Sequence, residues 1–166
     1  MRGAPVGEMG RYLLFVLTAI VTAGLDLGTK ALVEASFTLY QSSPVIEGLF
    51  NLTYLKNKGA AFGFLSTSGS MRVPFFISIT VVAMGFILWF LKRHGGSRTG
   101  IVSLGLIFGG AVGNLVDRIR YGAVVDFIDL HWSGYHWPAF NIADAAICVG
   151  VGLLLIKELN HGKKSA

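Results

Sequence analysis

The sequence predicts an all-α membrane protein with four transmembrane helices and a small β-hairpin outside the membrane. Hydrophobic residues make up 53% of the 166-residue chain and charged residues only 14%, whereas a soluble domain carries about 25% charged residues. Four long apolar segments follow one another, and a β-branched and aromatic segment separates the first from the second. This composition argues against a disordered chain, a coiled coil and an ordinary soluble enzyme.

The four apolar segments have the length that a membrane crossing requires, about 20 residues. We predict spans at residues 12–33, 73–91, 99–116 and 137–156, within one polytopic domain that covers residues 1–166. The first segment also has features of a signal peptide, since Arg11 precedes it and residues 22–24 are small. We interpret it as a retained helix, because a protein with three further spans usually keeps its first helix as an anchor.

The distribution of basic residues predicts the orientation, because cytoplasmic loops of membrane proteins are enriched in Lys and Arg. If both termini are cytoplasmic, the inner segments hold eight basic and two acidic residues, and the outer segments hold six basic and seven acidic residues. The net charge of +5 therefore reflects topology and requires no nucleic acid partner. The single cysteine excludes an intrachain disulfide.

Two external loops are predicted, at residues 34–72 and 117–136. In the first, β-branched and aromatic residues partly alternate over residues 44–55 around a turn at Glu47 and Gly48, so we expect a short hairpin. The same loop could cover a site at the membrane surface and exclude water from it. The second loop has a cluster that we interpret as an interfacial aromatic belt in preference to a metal site: His131, Trp132, Tyr135, His136 and Trp137.

Ionisable residues of the predicted helices fall at a similar depth near the outer face. At a rise of about 1.5 Å per residue, Asp144 lies roughly 20 Å above Lys157 and Asp26 roughly 22 Å above Arg11. Charges within a membrane are costly and by default indicate a functional site. The alternative is a buried ion-pair network that orients the helices, and Asp26, four residues before Lys30, suits that alternative equally well.

The third and fourth predicted helices each carry polar residues on one face. Asn114, Asp117 and Arg118 are spaced i, i+3 and i+4, and Asn141 and Asp144 are three residues apart on the fourth helix. Close helix packing is expected just before the first group, where small residues are spaced as GxxxG. These residues are Gly105, Gly109 and Gly113.

A further carboxylate, Asp126, lies between these two groups with apolar residues on both sides. If Asp126 folds back against Asp144, two carboxylates meet in a partly dry place and share a proton. One can then activate water while the other protonates the leaving group, which suits hydrolysis of a peptide bond at the membrane surface. On spacing alone, an ion pair involving Arg118 and a proton relay remain open.

Five short motifs follow one another along the chain, at residues 26–30 (DLGTK), 57–63 (NKGAAFG), 113–118 (GNLVDR), 124–127 (VVDF) and 140–144 (FNIAD). In this order they resemble the lipoprotein signal peptidase family, also called signal peptidase II, over nearly the whole chain. The resemblance implies a bacterial inner-membrane aspartyl protease with four helices and an extracytoplasmic β-cradle. It further implies removal of the signal peptide from diacylglyceryl-modified prolipoproteins, with cleavage just before the lipidated cysteine.

The resemblance also implies roles for single residues. Asp126 and Asp144 match the catalytic pair. The family's other site residues, which surround or support this pair, are matched in this chain by Asn57, Gly59, Asn114, Arg118, Asn141, Asp117, Asp26 and Lys30. The implied partners are prolipoprotein substrates, membrane lipids and the cyclic peptide antibiotic globomycin as an inhibitor, and no metal or other cofactor is expected. With both termini cytoplasmic, the site faces the outer leaflet.

Other classes of protein fit the sequence less well. A small transporter or proton-conducting subunit would use Asp26 and Asp144 as a relay, yet the inner halves of the four predicted spans are almost wholly apolar. A purely structural subunit does not require ordered motifs at one depth. The H-E-x-x-H motif of common zinc proteases and the phosphate-binding P-loop are both missing from the sequence.

Overall fold

The computed structural model describes residues 7–59, 71–94 and 97–162. These ranges contain four helices and four strands. In chain order they are α1 (Glu8–Ser36), β1 (Ser42–Ile46), β2 (Phe50–Asn57), α2 (Arg72–His94), α3 (Arg98–Tyr121), β3 (Val124–Trp132), β4 (Tyr135–His136) and α4 (Ile142–Gly162). Helix α3 lies at the centre of the bundle, where it contacts α1, α4 and α2.

Three of the described helices are long and apolar enough to cross a membrane: Glu8–Ser36, Arg72–Arg93 and Arg98–Tyr121. Helix α2 exposes large apolar side chains such as Val82 and Phe86, as expected of a helix that faces lipid. Helix α4 is similar in length but carries Asp144 in its first turn. The chain is therefore a mostly helical membrane protein with a small antiparallel sheet.

Helix α3 extends beyond the predicted span 99–116. It continues to Tyr121, so Asn114, Asp117 and Arg118 lie on one helix, as their spacing predicts. The helix ends where Gly122 adopts a left-handed φ of 65° and its N–H bonds to the carbonyl of Arg118. This glycine C-cap was not recognised as the end of the helix.

Helix α4 begins later than the predicted span 137–156. The N–H of Trp137 bonds to the carbonyl of Leu130, and Phe140 pairs with Ile128. These bonds hold residues 137–140 against β3 in extended form, so that the helix begins at Ile142. Asn141 consequently precedes the helix, contrary to its predicted place on it.

The predicted hairpin in the first external loop is confirmed. Strands β1 and β2 pair antiparallel, and the turn between them contains Gly48 at a φ of 75°. Strand β2 pairs with β3, and β3 with β4, giving one four-stranded sheet in chain order. Strand β3 was not predicted. Residues 60–63 of the second motif, and residues 60–70 of the loop expected to cover the site, lie outside the described residues.

Small residues of α3 mark where its neighbours approach. A Cβ atom on Gly109 would lie 2.6 Å from the carbonyl oxygen of Ala19 in α1. A Cβ atom on Gly110 would lie 2.5 Å from the carbonyl oxygen of Ala143 in α4. The close helix packing predicted from the GxxxG spacing is confirmed, and it brings the start of α4 against the C-terminal halves of α1 and α3.

Candidate active site

Asp144 lies in the first turn of α4, where local capping fixes its position. The side-chain oxygen of Asn141 accepts a hydrogen bond from the N–H of Asp144 at 2.9 Å. In return, Oδ2 of Asp144 accepts from the N–H of Asn141 at 3.4 Å. This reciprocal arrangement is a capping box, and the three-residue spacing of Asn141 and Asp144 provides it.

Asp126 lies on β3 and is 2% exposed. Both of its carboxylate oxygens accept amide N–H groups. Nδ2 of Asn141 donates to Oδ1 at 2.8 Å, and Nδ2 of Asn57 donates to Oδ2 at 2.9 Å. Asn57 is the last residue of β2, so the pairing of β2 with β3 places its side chain beside Asp126.

Asn114 of α3 connects Asp144 to the centre of the bundle. Its Nδ2 donates to Oδ1 of Asp144 at 2.8 Å. Its side-chain oxygen accepts from Nζ of Lys30 at 3.0 Å. Because an ammonium group can only donate, the Asn114 amide must turn its NH₂ group towards Asp144.

The other two asparagines are oriented by the same principle. The side-chain oxygen of Asn57 accepts from the N–H of Gly59 at 2.8 Å. That of Asn141 accepts from the N–H of Asp144. A backbone N–H can only donate, so each NH₂ group must point away from it, towards Asp126. Three fixed amides therefore direct N–H donors at two carboxylates.

A buried ion network lies below these carboxylates. Nζ of Lys30, a residue only 2% exposed, lies 2.7 Å from Oδ2 of Asp26 and 2.9 Å from Oδ2 of Asp117. Oδ1 of Asp26 accepts from the N–H of Ala143, and Oδ2 of Asp117 accepts from the N–H of Val125. Asp26 thus holds the residue before Asp144, and Asp117 holds the residue before Asp126. The ion-pair alternative for Asp26 and Lys30 describes what the structure contains.

Asp126 and Asp144 open onto the same cavity, which Arg118 also lines. The guanidinium of Arg118 lies over the ring of Phe76, 5.5 Å from its centroid. Phe76 comes from the first turns of α2, and it was not identified from the sequence. Phe75 and Phe76 are adjacent in an apolar run, and no local signal separates the one that lines the cavity.

Gly59 closes one side of this cavity, and its type is required by geometry. Its φ is +79°, a value that residues with a side chain rarely adopt, and a Cβ atom would lie 2.6 Å from Cε2 of Phe76. A larger residue would displace the Phe76 ring and the turn that orients Asn57.

The surroundings of Asp126 change its acidity. Burial, together with the nearby charge of Asp144, raises the pKa of Asp126 from 3.8 to about 6. The hydrogen bonds from Asn57 and Asn141 favour the ionised form and offset part of this rise. A carboxyl group with such a pKa can gain or lose a proton near neutral pH, as acid–base catalysis requires.

All ten residues predicted for the site have described positions. Asp126, Asp144, Asn57, Gly59, Asn114 and Arg118 line the cavity. Asn141 donates to the carboxylate of Asp126 through its side chain and to that of Asp144 through its backbone N–H. The buried network of Asp26, Lys30 and Asp117 supports the two segments that carry these carboxylates. The arrangement can share one proton between two carboxylates beside a cation, which is the chemistry of an aspartyl hydrolase.

Comparison with known proteins gives one consistent family. A family model described as signal peptidase II matches residues 18–160. Lipoprotein signal peptidase of Geobacter metallireducens is 50% identical over 156 residues, which cover 93% of this chain and 96% of that protein. The enzyme of the same name from Geobacter sulfurreducens is 49% identical and is covered to 97%.

Two solved structures, each described as a bacterial membrane enzyme, have the same fold. One matches with a TM-score of 0.79 at 35% identity and covers 87% of this chain and 92% of its own. The other matches with a TM-score of 0.81 at 30% identity and covers 100% and 97%. The chain belongs to the signal peptidase II family of membrane aspartyl proteases.

Proposed function

We propose that this protein removes the signal peptide from diacylglyceryl-modified bacterial prolipoproteins, cleaving just before the lipidated cysteine, with Asp126 and Asp144 as the catalytic pair. The observation that carries this proposal is the side chain of Asn141. Its Nδ2 donates to the carboxylate of Asp126 and its oxygen accepts from the backbone N–H of Asp144, so one residue positions both aspartates at one cavity.

Asp126 is proposed as the base that activates water. Both of its oxygens accept amide N–H groups, and these bonds favour the ionised carboxylate and oppose the rise in pKa that burial causes. Among the described residues, Oδ2 of Asp144 has a single hydrogen-bond donor, the N–H of Asn141 at 3.4 Å. That oxygen is accordingly proposed to hold the proton shared by the pair.

The proposed reaction balances within the pair. Asp126 takes a proton from water while the water oxygen bonds to the scissile carbonyl carbon, and Asp144 gives its proton to the carbonyl oxygen. When the C–N bond breaks, the leaving nitrogen takes the proton from Asp126. The new hydroxyl group returns a proton to Asp144. This restores the starting state.

Arg118 is proposed to stabilise the negative charge that develops at the site. Its guanidinium lines the cavity with both carboxylates and is held over the ring of Phe76. A cation held in place before the reaction stabilises developing charge without the cost of reorganising solvent.

The site is proposed to lie towards the outer leaflet of the bacterial inner membrane, with α4 as a fourth span and both termini in the cytoplasm. The excess of basic residues in the predicted inner segments supports this orientation. A lipid-anchored precursor holds its scissile bond near the membrane surface. This is the level proposed for the first turn of α4, which carries Asp144. Globomycin, inferred from the family resemblance, is proposed to inhibit by occupying the same cavity.

A gel-shift cleavage assay tests this function. Purified protein in lipid bilayers is given a diacylglyceryl-modified prolipoprotein, or the same precursor without its lipid. We expect cleavage of the lipidated form, little of the unlipidated form, and none by the Asp144→Asn variant. Equal cleavage of both precursors would refute the proposed dependence on the lipid. Full activity of Asp144→Asn would refute the assignment of the catalytic pair.

A further inference from the structure

Two hairpin ends of the sheet lie side by side and expose large apolar side chains. The carbonyl of Leu49, in the turn between β1 and β2, accepts a hydrogen bond from the N–H of His131 in β3 at 2.8 Å. We name the resulting surface the sheet tip. Its exposed side chains are Ile46, Leu49, Leu130, Trp132, Tyr135 and Trp137.

Polar contacts connect the two hairpins into one unit. Nδ2 of Asn51 in β2 donates to Oδ2 of Asp129 in β3 at 2.9 Å. The other oxygen of Asp129 lies 2.8 Å from Nδ1 of His136 in β4. The rings of His131 and His136 stack with centroids 4.8 Å apart. The sheet tip is therefore braced on three strands.

The aromatic side chains of the sheet tip are exposed to a degree that a surface in water seldom shows. Trp132 is 79% exposed, Tyr135 84% and Trp137 69%. Contiguous apolar patches of this kind mark a contact with a protein or a membrane. Trp and Tyr, with an apolar ring and a polar tip, are the residues that concentrate at membrane–water interfaces.

The sheet tip is also connected directly to the candidate active site. Strand β3 runs from Asp126 to Trp132, about 20 Å at the usual rise per residue. The chain then returns through Trp137 to Asn141, which bonds to Asp126 and caps Asp144. A contact that fixes the position of the sheet tip relative to the membrane therefore also acts on residues 126–144, which carry both carboxylates.

We infer that the sheet tip lies in the phospholipid headgroup region and anchors the sheet there. Only four residues separate Trp137 from the start of α4 at Ile142, and three described helices of the same chain are long and apolar enough to cross a bilayer. The lipid interface is thus within reach without a second protein. The choice of leaflet rests on the proposed function, which places the site towards the outer leaflet. Anchoring would hold the carboxylates at the level of a bond next to a lipid anchor.

Tryptophan fluorescence tests this inference without any measurement of cleavage. The chain has three tryptophans, so Trp89→Phe combined with Trp137→Phe or with Trp132→Phe leaves a single reporter in the sheet tip. Each protein is placed in phosphatidylcholine nanodiscs at one copy per disc. Quenching is measured with iodide in water and with phosphatidylcholines brominated at shallow or deep positions of the acyl chain.

We expect emission from Trp132 and Trp137 to be quenched more by shallow than by deep bromines, and to lose most of its quenching by iodide. Iodide quenching equal to that of a free tryptophan analogue, with no effect of bromines, would overturn the inference. Since each disc holds one copy, protection cannot come from a second protein. A catalytically inactive protein with a quenched sheet tip would refute the proposed function alone.

A variant with Trp132, Tyr135 and Trp137 all changed to Ser tests the consequence for the site. We expect slower cleavage of the lipidated precursor in nanodiscs, with unfolding temperature unchanged. A variant that keeps aromatic residues at these positions, Trp132→Tyr with Tyr135→Phe and Trp137→Tyr, should cleave at the rate of the unmodified protein. Equal rates for the Ser variant and the unmodified protein would refute the anchoring role.

Discussion

Nδ2 of Asn141 donates a hydrogen bond to Oδ1 of Asp126 at 2.8 Å. The same side chain caps α4 through the N–H of Asp144 at 2.9 Å. One side-chain amide, whose orientation is fixed by its partners, thus links strand β3 to the first turn of helix α4. This geometry makes the two carboxylates unequal, because Asp126 accepts from two side-chain amides and Asp144 from only one, that of Asn114.

Replacing either carboxylate by an amide should abolish cleavage but should affect stability differently. In Asp126→Asn the new NH₂ group faces Nδ2 of Asn57 or Asn141, and neither amide can turn round. We expect a loss of unfolding free energy of about 1–3 kcal/mol. In Asp144→Asn the NH₂ group can replace Oδ2 without opposing a side-chain donor, so stability should be nearly unchanged.

Thermal unfolding in detergent, alongside the cleavage assay, checks this difference. Asn51→Ala, which removes an amide of the same strand away from the site, serves as a control for general effects on the sheet. An Asp144→Asn protein that unfolds at a much lower temperature than Asp126→Asn would contradict the assigned hydrogen bonds.

Removing the buried cation should destabilise the bundle. Lys30→Met leaves the carboxylates of Asp26 and Asp117 buried without their ammonium partner, and we expect a loss of about 3–5 kcal/mol. Changing both acids to Asn in the same protein should recover most of this loss, because the uncompensated charges are gone. Cleavage should stay slow in the triple variant, since the Asn114 amide is no longer held. Unchanged unfolding of Lys30→Met would contradict the network.

Much of this architecture could be predicted from the sequence because its signals are local. Apolar length identified the helices, and alternation around Glu47 and Gly48 identified the first hairpin. The start of α4 could not be predicted, because residues 137–140 are held extended by pairing with β3. That pairing depends on where strand β3 lies in the folded protein. No periodicity within residues 137–140 indicates it.

The site was predicted in the same uneven way. Motif order identified the two carboxylates, and i, i+3 spacing placed Asn114 and Asp117 on one face. The contribution of Phe76 from α2 could not be found, because a cavity wall depends on how a separate helix packs. Nor could spacing show that Asp26 and Asp117 bond to the backbone N–H groups of Ala143 and Val125.

A second cluster should stabilise the junction of helices and sheet. The carboxylate of Glu34 accepts from the hydroxyl groups of Tyr54 at 3.1 Å and Tyr121 at 3.0 Å, joining α1, β2 and α3. Glu34→Gln weakens both bonds, and we expect a loss of about 1–2 kcal/mol. Glu47→Gln, in an exposed turn, is the matched control and should change nothing measurable. Equal unfolding temperatures for both variants would refute this role of Glu34.

Catalysis should require no metal ion. The proposed reaction moves protons only between water, Asp126, Asp144 and the substrate, so no Lewis acid is required. We expect the cleavage rate in bilayers to be unchanged after treatment with EDTA and dialysis. Loss of activity that added zinc restores would argue for metal-assisted hydrolysis and against the carboxylate pair.

The pH dependence of cleavage should report the surroundings of Asp126. Its pKa is about 6, raised in part by the charge of Asp144, so above this value the pair has lost its shared proton and the rate should fall as pH increases. Asn57 donates to the ionised carboxylate and lowers its pKa. Asn57→Ala removes this donor, which raises the pKa and moves the falling limb to higher pH.

The profile of kcat/KM against pH in bilayers measures this limb, which belongs to the carboxylate pair as a unit. Asn51→Ala is the matched control, because Asn51 lies on the same strand but donates to Asp129. Its falling limb should coincide with that of the unmodified protein. A limb that stays in place in Asn57→Ala, or moves to lower pH, would show that Asn57 does not stabilise the ionised base.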